Sequence, residues 1–427
     1  MLLGDDERVL CDLKVGDWSE PLALVLPTDQ GLRRGSCRAR LLALSSDGTQ
    51  VALYLSHVYP LEGFSEPEAV AGQLVQELGP FVEYSGETFA TPEMMLDLGR
   101  WQGEWIASAA ARLLNEFDVD LVYSKIHLID HFNHHIYGYV DPVSAWYDPA
   151  HADAYETILR RAYQIVDDMV SIVRNQTDPS TVVVVVSDHG VVPLVRGVSI
   201  NNILARAGII SCTPSSNDPN GPPIVDWSRT RAFSVAHSGT VYVNLAGRDA
   251  NGPVSPEAYE AVQDEVIDAL LDFKDPETGR RPILLALKNS DCEAIGLSGP
   301  AAGDVVVAGN PGYSVGGLAF PLRNDLEPIA DCGPEFKRRR TFHLSGMQAD
   351  HGSGLPNQNF GRGSDLAVFA MAGRGVRKGY SRSDAIRLVD IAPTICHLLG
   401  VEGPVGAEGA VLWDCLDGGR RPSAESQ

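Results

Sequence analysis

Apolar residues recur at three- and four-residue spacing over residues 149–174, where Leu159, Ala162, Ile165, Val166, Met169 and Val173 share one face, and this predicts a long amphipathic helix. Residues 94–117 carry the same spacing. The segment DLVYSKI (120–126) between them reads as a short strand. TVVVVV (181–186) is a continuous β-branched run, the pattern of a strand buried on both faces in the middle of a parallel sheet. DLAVFAM (365–371) predicts a further buried strand. Ser255-Pro256 supplies an N-cap and a proline for the first turn of a helix, and a helix over 388–399 is closed by Gly400.

The stretch up to about Tyr84 has a different character. Residues 40–45 and 50–56 are strand-like runs around Ser46-Asp47-Gly48-Thr49, and an Asp-Gly pair between such runs predicts a hairpin. From about Pro92 helix and strand alternate, which predicts an α/β fold: a doubly wound, mostly parallel sheet flanked by helices, with a β-rich N-terminal insertion piece. The expected division is a β-rich piece over 1–91 and an α/β domain over 92–427, with 416–427 as a disordered tail. Ligands of doubly wound sheets bind outside the carboxyl ends of the strands, so the residues following DLVYSKI and TVVVVV are where chemistry is expected.

Composition narrows the partners. A formal net charge of -22 opposes binding of a nucleic acid duplex, although bound divalent cations can reverse the field locally and admit a small phosphate. Seven scattered cysteines, none spaced C-x-x-C, predict a reducing, cytoplasmic setting without disulfides or a cysteine zinc site. No apolar run is long enough to span a membrane, and MLLGDDERVL, without a basic or an apolar region, does not read as a signal peptide.

Three clusters carry candidate chemistry: HLIDHFNHH (127–135), SDHG (187–190) and QADHG (348–352). Carboxylate and imidazole together suit zinc or manganese. Asp130 and His134 are four residues apart, so one turn can aim both at a single ion. Asp188 and His189 are adjacent at a strand end, where a turn permitted by Gly190 could bring both to one ion or divide them between two. His131 and His135 are expected on the surface of the first turn, His127 as a packed residue, and His57, His151, His237, His343 and His397 as structural. The glycine-rich 373–379 reads as a turn after a strand, and the basic run 337–340 as a solvated loop.

Taken together and in this order, Asp-x-x-x-His, strand-Ser-Asp-His-Gly and a late Asp-His-Gly resemble the alkaline phosphatase superfamily, in particular its type I phosphodiesterase / nucleotide pyrophosphatase branch. DHFNHHIYGYVDP resembles the first metal motif of that branch, VVVVVSDHGVVPL the second, and LVDIAPTICHLLGV its C-terminal helix. The resemblance implies that 92–427 is a metal-binding α/β domain with Asp130, His134 and His351 on one divalent ion and Asp188 and His189 on another, both zinc or, alternatively, manganese. It implies hydrolysis of small phosphate esters or nucleotides. It also implies an N-terminal aspartate and a Thr or Ser nucleophile, which are expected to be missing from this chain: LLALSSDGT sits in a hairpin, and Thr91 lies too close to the first motif. A metal- or phosphate-binding relative without turnover, and a phosphate mutase on the same fold, are the alternatives. Substrate identity and oligomeric state are not set by these residues.

Overall fold

The structure, a computed structural model, describes residues 2–3, 9–29, 31–84, 91–213, 224–235, 239–250, 252–300, 302–316, 342–343, 347–352, 354–355 and 357–419. The expectations for His237, Cys332, the basic run 337–340 and most of the tail lie outside these residues. The chain divides into two compact units: Met1–Phe132, Thr157–Val185 and Phe369–Gln427 form the first, and Asn133–Glu156 with Val186–Val368 the second.

The first unit opens β-rich. Leu22–Thr28, Gly31–Cys37 and Tyr59–Pro60 form an antiparallel three-stranded sheet, and Ala39–Leu44 pairs antiparallel with Val51–Leu55 in the expected hairpin. The turn is tied by Asp47, whose carboxylate accepts from Ser45 Oγ at 2.6 Å, from Thr49 N at 3.1 Å and from Thr49 Oγ1 at 2.8 Å. Those bonds, Ser45 foremost, hold its carboxyl down at about 2.

The helix Pro92–Glu116 starts on Thr91, whose Oγ1 accepts from Met94 N at 3.3 Å, with Pro92 in the first turn where its missing N–H costs nothing. The β-rich part docks on this helix: Trp18 Nε1 donates to Asp97 at 3.0 Å, and the Arg38 guanidinium lies 4.1 Å from the Trp101 ring centre. The helix Ala152–Gln176 confirms the amphipathic pattern, with Leu159, Ala162 and Ile165 buried. It reaches the first helix closely because Gly103 has no side chain; a Cβ there would lie 2.8 Å from Met169 Sδ.

The sheet expectation holds only at the level of mixed α and β. Among the described residues the sheets have two to four strands and are mostly antiparallel, with one parallel pair, Arg196–Ser199 with Tyr313–Gly316. The valine run forms a strand over Val183–Val186 that pairs with Phe369–Ala372 in a two-stranded sheet, and its residues are half-buried or exposed rather than buried on both faces. DLVYSKI forms no strand: residues 121–126 enter no ladder, and Leu121 and Tyr123 are exposed. β-Propensity marks a chain that suits a pleated surface, but a strand exists only with a neighbour in register.

The second unit is built on a four-stranded antiparallel sheet in the order Ala232–Ser234, Thr240–Val243, Val305–Gly309, Ile283–Lys288. Val262, Val266 and Leu270 of the helix Tyr259–Asp272 and Ile200, Ile203 and Leu204 of Ile200–Arg206 join that sheet in one apolar core. A short 3-10 turn, Pro256–Ala258, leads into the former helix, with Ser255 at the N-cap and Pro256 in the first turn as expected, although the Ser255 side chain makes no cap bond. One buried carboxylate crosses the sheet. Asp304 accepts from Arg248 at 2.9 and 2.7 Å, from Tyr259 OH at 2.6 Å and from Val243 N at 2.6 Å. Burial alone would raise its carboxyl, but the bonds from Arg248, Tyr259 and Val243 outweigh it and hold the group below its ordinary range.

In the first unit, Ile391–Leu399 is helical and Gly400, at φ 70°, closes it in the left-handed region as expected. No helix among the described residues is long and apolar enough to cross a membrane. The cysteines Cys11, Cys37, Cys212, Cys292, Cys396 and Cys415 are unbridged.

Candidate metal centre

Asp130 lies half-buried in the short helix Leu128–Phe132 of the first unit. The chain then widens into a π-helical turn, Asn133–Tyr137, which opens the second unit and carries His134. The backbone of this turn is stitched to a distant segment. Gln348 N donates to His134 O at 2.7 Å, and Gly138 lets that segment come close, since a Cβ on it would lie 2.6 Å from Gln348 Cβ. The strand that follows, Ala349–Asp350, pairs antiparallel with Val192–Pro193.

This stitching fixes an imidazole. His134 Nδ1 lies 2.8 Å from Ala349 O. A carbonyl oxygen only accepts, so Nδ1 carries the proton and Nε2 of the neutral ring presents its lone pair. His189 follows the same logic: its Nδ1 donates to Gly190 O at 2.9 Å and leaves Nε2 as the acceptor atom.

The turn after Val183–Val186 is held by its neighbours. Ser187 Oγ donates to His189 O at 2.6 Å, Gly190 N to Asp365 O at 2.9 Å and Val191 N to Ser364 O at 2.8 Å. Gly190 is required by close approach and not by a left-handed backbone, because a Cβ there would sit 2.0 Å from Ser364 O and 2.6 Å from Leu366 O. His189 Nε2 ends 3.5 Å from Asp188 Oδ1. Two ligands of one tetrahedral zinc, each about 2.0–2.1 Å from the ion, stand about 3.4 Å apart. The pair is therefore spaced to share one cation.

The three clusters meet within the second unit. The rings of His189 and His351 stack with centres 3.4 Å apart, and those of His134 and His351 are 5.1 Å apart. His134, Asp350 and His351 each offer a ligand atom within 4.8 Å of the others. Of these, Asp350 belongs to a cluster singled out from the sequence, in which only His351 was expected to act.

Asp365 is a second acid that the sequence did not mark. Burial raises its carboxyl, Asp350 adds to that, and His351 and His189 pull against it. Its Oδ1 is buried without a hydrogen-bond partner. A set of imidazole lone pairs and carboxylate oxygens, one of them orphaned, is a donor array that a divalent cation satisfies.

The other histidines have different surroundings. His57 lies 3.8 Å from Glu83, His151 is bonded to Asp148 at 2.7 Å, and His397 packs edge-on against Trp413. His131 and His135 are half-buried rather than on the surface, and His127, expected to be packed, is exposed. His127 stacks on His131, and both line a cavity of about 320 Å³ in the first unit, together with Tyr84 and Lys125. Burial raises the Tyr84 hydroxyl, with Asp130 adding to the shift.

Residues 84–319, more than half of the chain, match the family model described as type I phosphodiesterase / nucleotide pyrophosphatase. The chain belongs to that family. With it comes membership of the alkaline phosphatase superfamily, and the family match supports phosphate ester hydrolysis in general. The match spans Asp130, His134, Asp188 and His189 and stops short of Asp350 and His351, although the fold sets His351 against His134 and His189 and Asp350 with His134. Comparison with curated proteins finds no match.

Proposed function

We propose that this phosphodiesterase-family chain holds two divalent cations and serves the hydrolysis of small phosphate esters, including nucleotides. Asp130, His134 and His351 are read as ligands of one ion, and Asp188 and His189 as ligands of the other. The observation that carries the reading is the meeting of His134, His189 and His351, which are far apart in the chain, with the first two turned so that Nδ1 bonds a backbone carbonyl and Nε2 is the nitrogen left for a ligand. Zinc is the favoured ion because its ligand geometry matches the 3.5 Å spacing of Asp188 and His189, with manganese as the alternative.

The bound ions would supply positive charge for the phosphoryl oxygens, which a chain of net charge -22 otherwise repels. What the chain's own residues do is fix that charge. The carbonyls of Ala349 and Gly190 hold two imidazoles in one tautomer, and the 187–191 turn, pinned to Ser364 and Asp365, holds Asp188 and His189 at the end of their strand. Residues 121–126 and the strands Val183–Val186 and Phe369–Ala372 are read as the seat of the family's parallel sheet. The β-rich part over 1–91 is read as a cap on that domain.

A second reading, binding without turnover, draws on the hydroxyls at hand. Ser187 Oγ donates to His189 O, Ser314 Oγ to Asp350, and Thr91 caps its helix. None is poised as the Thr or Ser nucleophile that the family uses.

Metal analysis of the purified chain, followed by assay with an aryl phosphodiester, tests both readings. Hydrolysis that a chelator abolishes, that zinc or manganese restores and that Asp188→Ala removes supports the enzyme. Bound metal without hydrolysis supports the binding-only reading. A chain that binds no divalent ion at micromolar concentration refutes both.

A further inference from the structure

We propose that Asp350 is itself a metal ligand, so that His134, Asp350 and His351 form a three-donor site contained within the second unit. The proposal rests on the metal-binding reading above and adds to it a residue outside the matched region. Three observations carry it. The ligand atoms of the three side chains lie within 4.8 Å of one another, a span that one cation can bridge. Asp350 is buried at 7% exposure, and its carboxylate is held at both oxygens, Oδ2 by Ser314 Oγ at 2.8 Å and Oδ1 by His351 N at 2.9 Å. The two-residue strand Ala349–Asp350 performs two tasks at once, because the Ala349 carbonyl sets the His134 tautomer while the next residue presents the carboxylate.

The hydrogen bonds on Asp350 do not compete with a cation. A carboxylate offers about four lone-pair positions, of which the bonds from Ser314 Oγ and His351 N use two. Bonds of this kind orient a ligating carboxylate and limit its swing. Two nitrogens and one oxygen are a donor set that zinc accepts. The structural alternative is that Asp350 only braces Ser314 and the 350–351 backbone. In that case Asp350 acts on the ion only through its charge, with no bond to it.

Cobalt(II) substitution separates these roles. Wild-type chain, Asp350→Asn and Asp350→Cys are loaded with cobalt(II), the visible and near-ultraviolet spectra are recorded, and zinc affinity is measured by competition with a chromophoric chelator. Ligation predicts that Asp350→Cys gains a sulfur-to-cobalt charge-transfer band absent from wild type. It also predicts that Asp350→Asn binds zinc at least about tenfold more weakly. Unchanged affinity in Asp350→Asn, with no new band in Asp350→Cys, overturns the proposal while leaving the metal-binding reading intact. Failure of wild type to bind cobalt or zinc overturns both. If neither Asp350 variant folds by circular dichroism, Ser314→Ala decides: a carboxylate released from its brace predicts a several-fold loss of zinc affinity, and an unchanged affinity counts against ligation.

Discussion

His134 donates its Nδ1 proton to the carbonyl oxygen of Ala349, 2.8 Å away and 215 residues further along the chain. That one bond decides which ring nitrogen faces the acidic cluster. His134→Ala is therefore expected to lower zinc affinity by at least about 100-fold, more than the loss of an outer partner of a ligand costs. His134→Gln keeps a polar side chain but not the imidazole donor and should behave similarly. Calorimetric titration with zinc reads both.

Gly190→Ala places a methyl group where the Ser364 and Leu366 carbonyls stand, at 2.0 and 2.6 Å from the new carbon. Backbone atoms cannot step aside as a side chain can, so the turn carrying Asp188 and His189 must move. Destabilisation of about 2–3 kcal/mol is expected, in the upper range for overpacking, together with weakened metal binding. Urea unfolding and metal content measure the two effects. Wild-type values for both would show that the approach of 364–366 is not a constraint.

Asp304 makes stability depend on acid. Its carboxyl is held below the value it has in the unfolded chain, about 3.9, so the folded state favours the charged form. The stabilisation is complete above that unfolded value and is lost as pH falls through the lower folded value. Wild type should lose stability steeply below about pH 4, whereas Asp304→Asn should be less stable at neutral pH, by about 3 kcal/mol, with a flatter acid limb. Denaturation midpoints across pH 2–7 (about that range, set by the carboxyl titration) test the sign.

Metal removal should be visible in unfolding as well as in content. A cation held by the native ligands and not by the unfolded chain adds about 2.7 kcal/mol when present at about 100 times its dissociation constant. Thermal unfolding with zinc, and again with excess chelator, should separate accordingly, and coincident melts would argue that no native site exists.

Much of this was legible in the sequence. The periodicity marked the helices Pro92–Glu116 and Ala152–Gln176, and Asp-Gly marked the hairpin, because both signals are local. The three His/Asp clusters stood out for the same reason. Of the sheet only the mixed α and β content is borne out, because pairing is decided by distant neighbours: the valine run is as apolar as a buried strand, yet it pairs in a two-stranded sheet and stays half-exposed. Asp350 and Asp365 were missed on similar grounds. Asp350 was hidden beside a histidine that already seemed sufficient, and Asp365 stands in a strand-like run with nothing in its own neighbourhood to set it apart. The approach of Gly190 to 364–366 brings it to His189 only in the folded chain.

The π-helical turn at Asn133–Tyr137 ties the aim of His134 to chain length as much as to side-chain identity. A helical residue turns the chain by about 100°, so deleting any one position from this turn would swing every later side chain around the axis. A single codon deletion after Phe132 would thus re-aim the imidazole while leaving every ligand in the sequence, an effect that substituting a neighbour of His134 would not reproduce.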